Sequence, residues 1–537
     1  MRILLAYMDV HKADLFGYDF SSEVYIHNTT DLTLGLASIK AYSKLDPHIK
    51  KNCQFINRVY IDSFSIKTIT EDILSQNPDL VCFSVNVWNF EETKCIWESI
   101  KYINSNIKVI LGGPMVPIDV QSSRKMLEDH KEIDALVRGE GEIAFRKLLN
   151  FYLKKEEISN IPNVALRKDD KIFTNAKTVS LTDLSELPSP YLSGDLNIYD
   201  NANGFLALET SRGCVYDCAY CNYHGGEQPK FFKIEKIKQE LVFFKSKCFN
   251  GTIYVVDPLL NFDKEWFKRV ITIIGEFDFK VSIELRLELI DDDMIELLTK
   301  IDKLDFCVGL QSINPTTLKN INRPTDIEKC RNVLLKLVKV VNNTGVDLIL
   351  GLPGDNYETF KNTIDWVVYC KIPRVNICDL ILIPNSGLEK AAQRFKLKTN
   401  KNKLVLSNYT FSEEDLVKAS HFRGSFHFLF TRCNDIFNIN ICNSKLKPSE
   451  VIELFVKVAS DNNEIPSGRL LTWKNIDFSD KTIFSFLKSL FNDRVTIKHF
   501  LKLFKNNSRI LHNHEDSFIE SSKVYFERTV LDKPYFQ

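Results

Sequence analysis

Short apolar runs alternate with longer amphipathic stretches along most of the chain. In the first third, the runs that have the apolar character of buried strands are residues 2–7, 55–61, 80–86, 107–111 and 134–138. Stretches with apolar residues at helical spacing lie between them, for example residues 34–45 and 66–76. Buried strands that alternate with helices are typical of a doubly wound parallel sheet. We therefore predict an α/β, Rossmann-like first domain over residues 1–155.

The same alternation returns further along the chain, with longer helical stretches. The strand-like runs are residues 204–211, 251–257, 281–288, 305–312, 346–353 and 375–383. Because six strand–helix units follow one another without a break, we predict a partial (β/α)6 barrel of TIM type over residues 204–385. Right-handed crossovers would bring the carboxyl ends of all its strands to one mouth, where active sites of barrels gather.

Two further segments complete the predicted organisation. Residues 156–203 show little periodicity and read as a linker with a β-hairpin, in which Asp169, Asp170 and Lys171 form the turn. Residues 386–537 carry helical apolar spacing and predict a mostly helical C-terminal domain, with Ser412 as a helix N-cap. We expect the phenylalanine-rich residues 422–430 to be core, and the domain to close the barrel and select the substrate.

The composition narrows the class of protein. Hydrophobic residues make up 44% and charged residues 26%, with a net charge of zero, which is ordinary for a globular protein. Such a charge balance predicts no attraction to nucleic acid or to an anionic membrane. No apolar run has the length of a signal peptide or a membrane span. The 13 cysteines are mostly scattered singly, which is typical of a reducing compartment, so we expect a cytoplasmic protein.

Three cysteines form a compact group. Cys214, Cys218 and Cys221 follow the pattern Cys-x-x-x-Cys-x-x-Cys. Thiolates are the preferred ligands of iron–sulfur clusters, and three of them on a 4Fe–4S cube leave one iron open. The alternatives are ordinary cysteines or a zinc site without its fourth ligand. Structural zinc usually takes two paired units, and His224 lies only three residues beyond Cys221.

The segment TSRGCVYDCAYCNYHGG, residues 210–226, resembles the cluster loop of the radical S-adenosylmethionine (SAM) enzymes. Tyr220, the aromatic residue before the last cysteine, also fits their pattern. The resemblance implies that Cys214, Cys218 and Cys221 are the catalytic metal ligands of a 4Fe–4S cluster. It also implies that the amine and carboxylate of SAM chelate the open iron.

Polar and glycine residues follow the strands of the predicted first domain. Glycine commonly follows a strand because the turn requires it, so each loop by itself is weak evidence for a ligand site. Together, the fragments LTLGLASIKAY, VILGGP and VRGEGE resemble the cobalamin-binding domain of the cobalamin-dependent radical SAM family. The resemblance implies cobalamin contacts from Ser84, Asn86, Gly112, Gly113, Gly139 and Glu140. The Asp-x-His-x-x-Gly motif is incomplete after Asp9 and His11, so we expect His11 to be a polar loop residue and not a cobalt ligand.

Strand ends of the predicted barrel match the same family position by position. The resemblance implies SAM contacts from Tyr220, Asp257, Glu284, Arg286, Gln311, Ser312 and Gly351. Two departures are clear: the usual Gly-Gly-Glu is absent from the second strand, and Gln311 replaces a common glutamate. Because an unpaired buried charge is costly, Glu284 and Arg286 either bind ligand or pair with neighbours.

What the resemblance implies is a cobalamin-dependent radical SAM methyltransferase. A 5′-deoxyadenosyl radical would take hydrogen from an unactivated carbon of a small-molecule or peptide substrate, and methylcobalamin would supply the methyl group. A flavodoxin- or ferredoxin-type protein would supply electrons. Two alternatives stay open: radical chemistry such as epimerisation, oxidation or ring formation, with Cys307 and Cys378 as candidate hydrogen donors, or a non-catalytic cobalamin or iron–sulfur sensor or scaffold.

Overall fold

The structure is a computed structural model. It describes residues 1–10, 30–199, 204–223, 227–341, 343–434, 436–437, 446–466, 468, 478–491 and 498–504. His11 and His224, the two histidines weighed above as ligands, lie outside these ranges. Within these ranges, no helix is both long enough and apolar enough to cross a membrane.

The first sheet has a parallel core in the strand order β2-β1-β3-β4-β5. Alternate residues of its central strand enter two different hydrophobic clusters: Leu5 and Tyr7 pack on one face, and Leu4 and Ala6 on the other. Both faces of the sheet are therefore buried, as a doubly wound fold requires. The strands are β1 (Arg2–Asp9), β2 (Gln54–Ile61), β3 (Leu80–Ser84), β4 (Lys108–Gly112) and β5 (Ala135–Val137).

Helices cover both faces of this sheet. Several begin at the side-chain caps that the sequence offers, since Ser65 accepts a hydrogen bond from the Thr68 amide and Asp119 accepts one from the Ser122 amide. The helices are α1 (Leu34–Ser43), α2 (Pro47–Asn52), α3 (Ile66–Ser75), α4 (Phe90–Ile103), α5 (Val120–Asp129) and α6 (Glu142–Tyr152).

The linker forms the predicted hairpin from β6 (Val164–Lys168) and β7 (Lys171–Thr174). Asp169 and Asp170 both have positive φ, 49° and 59°, as a tight two-residue hairpin turn requires. The sequence did not indicate where the hairpin goes: β6 pairs antiparallel with β5 and extends the first sheet to seven strands. Further along the linker, the Tyr191 hydroxyl donates to the Ala207 carbonyl at 2.7 Å, which ties the linker to the second sheet.

The second sheet confirms the prediction of six parallel strands, which lie in the order β15-β14-β13-β12-β11-β8. Its strands are β8 (Phe205–Leu208), β11 (Thr252–Val255), β12 (Lys280–Leu285), β13 (Leu304–Gln311), β14 (Thr344–Leu350) and β15 (Arg374–Asp379). The helices that connect them are α7 (Ile234–Ser246), α8 (Lys264–Gly275), α9 (Asp292–Leu298), α10 (Pro315–Asn320), α11 (Ile327–Val340) and α12 (Tyr357–Tyr369). A short antiparallel ladder, β9 (Ser211–Arg212) with β10 (Lys230–Phe231), follows β8.

The C-terminal region is mostly helical where it is described, and it differs from the sequence prediction in its first segment, residues 385–397, whose apolar spacing also favours a helix. The helical pattern over 385–397 forms only one helical turn, α13 (Gly387–Lys390), followed by the small ladder β16 (Lys398–Thr399) with β17 (Val405–Ser407). By contrast, α14 (Glu413–Cys433) runs without a break through the phenylalanine-rich segment, which is core: Phe422 and Phe426 are fully buried. Ser412 caps α14, and α15 (Pro448–Asp461) and α16 (Asp480–Leu490) follow.

Candidate active site

The three-cysteine loop leaves the carboxyl end of β8 and returns through β10, so it lies at the mouth of the barrel. Gly213 opens it with a φ of +102°, a conformation that side chains rarely adopt, and a Cβ there would lie 3.0 Å from the Gln228 carbonyl oxygen. The Cys221 amide donates to the Cys218 carbonyl at 3.0 Å, which closes a turn between these two cysteines. A tight loop therefore carries all three thiols.

Backbone contacts from other strand-end loops hold the middle of the cysteine loop. The Ala219 amide donates to the Ile321 carbonyl at 2.8 Å, and the Leu388 amide donates to the Ala219 carbonyl at 2.6 Å. Gly387 permits this second contact, because a Cβ at that position would stand 3.0 Å from the Ala219 Cα. The loop is thus fixed between segments that follow β13 and β15.

Two buried guanidinium groups flank the central thiol. Arg323 approaches the Cys218 sulfur at 3.8 Å and donates to the Tyr220 hydroxyl at 3.3 Å. Arg286 approaches the same sulfur at 4.0 Å and lies 3.6 Å above the Tyr216 ring. Burial raises the pKa of the Cys214 thiol, and it raises that of Cys221 to about 11. Thiolates formed there need positive charge beside them, and the two arginines supply it.

The chemistry of these donors fits a 4Fe–4S cluster. Among the described residues, no three His, Cys, Asp or Glu side chains converge on a point where one metal ion would bind. Each thiolate of a cube binds a separate iron, and three thiols on one short loop suit such a cluster. The Tyr223 amide also donates to the Cys221 sulfur at 3.3 Å, the kind of contact that sulfur ligands of clusters accept.

A cavity of about 330 Å³, open at its mouth, lies directly below the cysteine loop. Four residues that the resemblance assigned to SAM line it together with the cysteines: Tyr220, Glu284, Arg286 and Gln311. Cys378, a candidate hydrogen donor, also lines the cavity, as does Arg323. Three further lining residues were not expected at the site: Tyr216, Asp347 and Asp379. Asp347 and Asp379 could have been predicted as site residues, because each is a polar residue within an otherwise apolar barrel strand.

The other three residues assigned to SAM do not line this cavity. Asp257 accepts hydrogen bonds from the Thr210 amide at 2.7 Å, from the Ser211 hydroxyl at 2.7 Å and from the Thr210 hydroxyl, so it braces the end of β8. Ser312 donates to Asp355 at 3.3 Å behind the cavity wall. Gly351, with a φ of +97°, accepts a hydrogen bond from Asn408 and packs against Leu416.

Two carboxyl groups form part of the cavity wall. Glu284 accepts a hydrogen bond from the Tyr254 hydroxyl at 2.6 Å, and Asp347 accepts one from the Asn376 amide at 2.8 Å. Glu284 keeps access to solvent through the cavity, yet its position inside the barrel and then the charge of Asp347 raise its pKa, while burial raises the pKa of Asp347. Among the ion pairs of the described residues, Arg286 pairs with Glu288 at 3.4 Å and not with Glu284, which lines the cavity.

The first domain has a groove at the carboxyl edge of its sheet. Of the residues assigned to cobalamin, five line it: Ser84, Gly112, Gly113, Gly139 and Glu140. Asn86 does not line the groove. It is buried, and its backbone amide donates to the side-chain oxygen of Asn89. Gly113 is required for the groove shape, because a Cβ there would lie 2.8 Å from the Val85 carbonyl oxygen. Glycines at the strand ends of a parallel sheet make room for a flat ligand, so the groove fits a corrin ring.

A third cavity lies between the groove and the barrel. It shares Gly113, Gly139, Glu140 and Arg212 with the groove and Tyr223 with the barrel cavity. On the first-domain side, Pro114 accepts a hydrogen bond from the Asn222 side chain at 3.2 Å. The two sites therefore open toward each other across the domain interface, which the sequence pattern did not reveal.

Comparison with known families agrees with this geometry. Residues 32–149 match the family described as the B12 binding domain, and residues 208–367 match the Radical SAM superfamily. These matches imply a 4Fe–4S cluster, SAM and cobalamin as cofactors.

Two curated relatives are methyltransferases. The chain is 24% identical over 389 residues to the cobalamin-dependent radical SAM methyltransferase TokK of Streptomyces tokunonensis, a match that covers 68% of this chain and 56% of TokK. It is 26% identical over 354 residues to 2-(S-pantetheinyl)-carbapenam-3-carboxylate methyltransferase of Streptantibioticus cattleyicolor, covering 62% of this chain and 50% of that protein. The chain thus spans about half the length of these relatives.

Two solved structures share the fold. The cobalamin-dependent SAM radical enzyme OxsB, with aqua-cobalamin and SAM bound, superposes with a TM-score of 0.63 at 13% identity, covering 97% of this chain and 81% of OxsB. The radical SAM methyltransferase TsrM from Kitasatospora setae superposes with a TM-score of 0.55 at 15% identity, covering 74% of this chain and 76% of TsrM. At these identities the likeness concerns the fold.

Proposed function

The chain belongs to the radical SAM enzymes that carry a B12-binding domain, and from that premise we propose that it C-methylates an unactivated carbon of a natural-product or peptide substrate. The observation that carries the proposal is that a third cavity shares lining residues with the first-domain groove on one side and shares Tyr223 with the barrel cavity on the other. A methyl donor held in the groove then faces a substrate held beside the cluster loop. The curated relatives support a small-molecule substrate, since one is named for a carbapenam carboxylate.

When bound, the cluster with SAM supplies a 5′-deoxyadenosyl radical, and cobalamin supplies the methyl group. The chain's own residues hold and orient these reactants. Cys214, Cys218 and Cys221 would ligate three irons, while Arg286 and Arg323 offset the charge of the thiolates. Glu284 and Gln311 face the cavity, where they would orient hydroxyl or amine groups of SAM or of the substrate. We extend the proposal to a flavodoxin- or ferredoxin-type electron donor and to a reducing, cytoplasmic setting, which the singly scattered cysteines of the sequence favour.

The test is anaerobic reconstitution with iron, sulfide and hydroxocobalamin, followed by incubation with SAM and a reductant. Methyl transfer consumes two SAM molecules, one giving methionine and 5′-deoxyadenosine and the other giving S-adenosylhomocysteine. We expect about one cobalt and four irons per chain, with both products formed. Formation of 5′-deoxyadenosine without S-adenosylhomocysteine or retained cobalt would contradict methyl transfer. The C218A variant, which lacks one cluster ligand, is the control and should form no 5′-deoxyadenosine.

A second candidate function is epimerisation, because Cys378 lines the cavity. Its thiol is where a hydrogen atom would be returned to a substrate radical. Cys307, the other candidate thiol, lies beside Asn376 at 3.9 Å and is not part of the cavity lining. If the enzyme is an epimerase, C378A should form 5′-deoxyadenosine but no epimer. For a methyltransferase, C378A should retain methylation of the substrate.

A further inference from the structure

The neck of the cysteine loop is the antiparallel ladder of β9 and β10. In this ladder Arg212 lies directly opposite Lys230, and Ser211 lies opposite Phe231. Cys214 follows Arg212 by two residues. The two facing cations therefore stand where the loop leaves the barrel, and their positions determine how the loop projects toward the first domain.

Each of these cations forms an ion pair with the first domain. Arg212 Nη1 lies 2.7 Å from Glu142 Oε1, and Lys230 Nζ lies 2.8 Å from Glu140 Oε1. Both glutamates belong to the segment after β5 that lines the groove. The carboxylate of Glu140, which the resemblance assigned to cobalamin, is thus engaged by a barrel residue.

Further contacts hold each pair in place. Arg212 is also paired with Glu209 at the end of β8, with Nε to Oε1 at 2.6 Å and Nη2 to Oε2 at 3.1 Å. Lys230 donates to the Leu181 carbonyl at 2.8 Å, while the Leu181 amide donates to the second oxygen of Glu140 at 3.2 Å. Each cation consequently has two fixed partners and little freedom to swing away.

Burial makes these pairs different from ordinary surface ion pairs. The side chains of Arg212 and Glu142 are 12% and 5% exposed, and those of Lys230 and Glu140 are 18% and 20% exposed. Burial by itself would lower the pKa of Arg212, but Glu209 and Glu142 raise it well above its ordinary value. Removal of one partner would leave a charge with little access to water, which is far more costly than loss of a surface pair.

We propose that Arg212 and Lys230 are positioning residues that fasten the cysteine loop to the groove loop, so that the cluster and the cobalamin keep a fixed separation. The inference rests on the proposed function only for the identity of the two cofactors, the cluster on one loop and the cobalamin on the other. The two ion pairs act together as one clamp, because their cations share a single ladder and their glutamates lie two residues apart, at the end of the loop after β5 and at the start of α6. Loss of the clamp would loosen both loops at once.

The first test needs no cofactor. Amide hydrogen exchange is measured on the apo full-length chain for residues 213–223 and for residues 138–142, in the wild type, R212Q, K230Q and the double variant. We expect exchange in both segments to quicken together, by about tenfold in the double variant. K238Q is the matched control, since Lys238 pairs with Glu276 at 2.6 Å on the barrel exterior, and it should change neither segment. Quickening confined to the cysteine segment, or no change in either, would overturn the clamp. If the double variant does not fold, the exchange rates of K230Q alone test the clamp. The Lys230–Glu140 pair is the more exposed of the two, so its loss should cost less stability.

The second test uses reconstituted protein that retains iron and cobalt. Electron paramagnetic resonance measures how strongly the reduced cluster speeds relaxation of the cob(II)alamin signal, an effect that falls steeply with separation. We expect a weaker and more heterogeneous effect in R212Q/K230Q than in the wild type and K238Q. An unchanged effect at equal metal content would overturn the clamp. If the wild type retains no cobalt, the proposed function fails, and the exchange measurement still decides the clamp.

Discussion

The guanidinium of Arg323 lies 3.8 Å from the sulfur of Cys218, although 105 residues separate them in the chain. The same guanidinium reaches the Gly309 carbonyl at 2.5 Å and the Tyr220 hydroxyl at 3.3 Å. Burial would lower the pKa of Arg323, but Tyr220 and Cys218 raise it above its ordinary value. A permanent positive charge therefore stands beside the central cysteine.

The positive charge of Arg323 should raise the reduction potential of the cluster. Because positive charge beside a cluster favours the reduced, more negative state, R323M should lower the midpoint potential of the reconstituted cluster. We expect a shift of about 60 mV or more, which is a tenfold change in a one-electron equilibrium. A redox titration followed by electron paramagnetic resonance measures it. R323K keeps the charge and should stay closer to the wild type; an unshifted potential in R323M would contradict the electrostatic role.

Asp257 should make thermal stability depend on pH. Burial raises the pKa of Asp257 from its ordinary value of 3.8 to about 6. The folded state therefore binds this proton more tightly than the unfolded state, and the stabilising contribution is complete below about pH 4 and lost as the pH rises through 6. Its size is at most about 3 kcal/mol. The Tm of the wild type, relative to that of D257N, should be higher at pH 5 than at pH 8. An equal difference at both values would show that Asp257 does not titrate in this range.

Periodicity predicted the parts of the fold that local sequence determines. The apolar runs located all six strands of the second sheet and the five parallel strands of the first, because packed strands are mostly apolar and carry polar residues such as Glu284 where they face the cavity. The spacing of Cys214, Cys218 and Cys221 predicted one loop, since these residues are close in sequence. The family matches support the assignment of both domains.

The same periodicity could not predict contacts between segments that are distant in sequence. Arg212 and Lys230 look like ordinary surface cations in sequence, and only the folded chain places them beside Glu142 and Glu140. Asp257 ends a strand at the barrel mouth as predicted, yet its carboxylate is occupied by Thr210 and Ser211. Position at a strand end indicates which side chains can reach a ligand, but their partners depend on the neighbouring loops.

A substitution at Gly113 tests whether the first-domain groove binds cobalamin. With φ at +99° and the Val85 backbone 2.8 Å from a Cβ, G113A must strain or displace the turn after β4. The conformational strain alone is roughly 1–2 kcal/mol. We expect the reconstituted variant to retain less cobalamin per chain while its iron content stays at the wild-type level. G275A is the control, because a Cβ on Gly275 meets nothing within 4 Å. Full cobalt retention in G113A would place the corrin elsewhere.

Arg423 and Asp379 form an ion pair at 2.9 Å with no solvent exposure of either side chain. The pair joins α14 to the end of β15, where Asp379 also lines the barrel cavity. R423M leaves the Asp379 carboxylate buried beside an apolar side chain, and we expect it to lower the free energy of unfolding by about 3–5 kcal/mol.

The double variant R423M/D379L removes both charges and should be markedly more stable than R423M alone, because the cost lies in the unpaired charge and not in the loss of an attraction. Urea denaturation of the four proteins in a double-mutant cycle measures this difference. If the double variant were as unstable as the sum of the two single variants, the contribution of the pair would come from packing. If it recovers most of the loss, the instability of R423M comes from the Asp379 carboxylate, which burial without its cation makes costly.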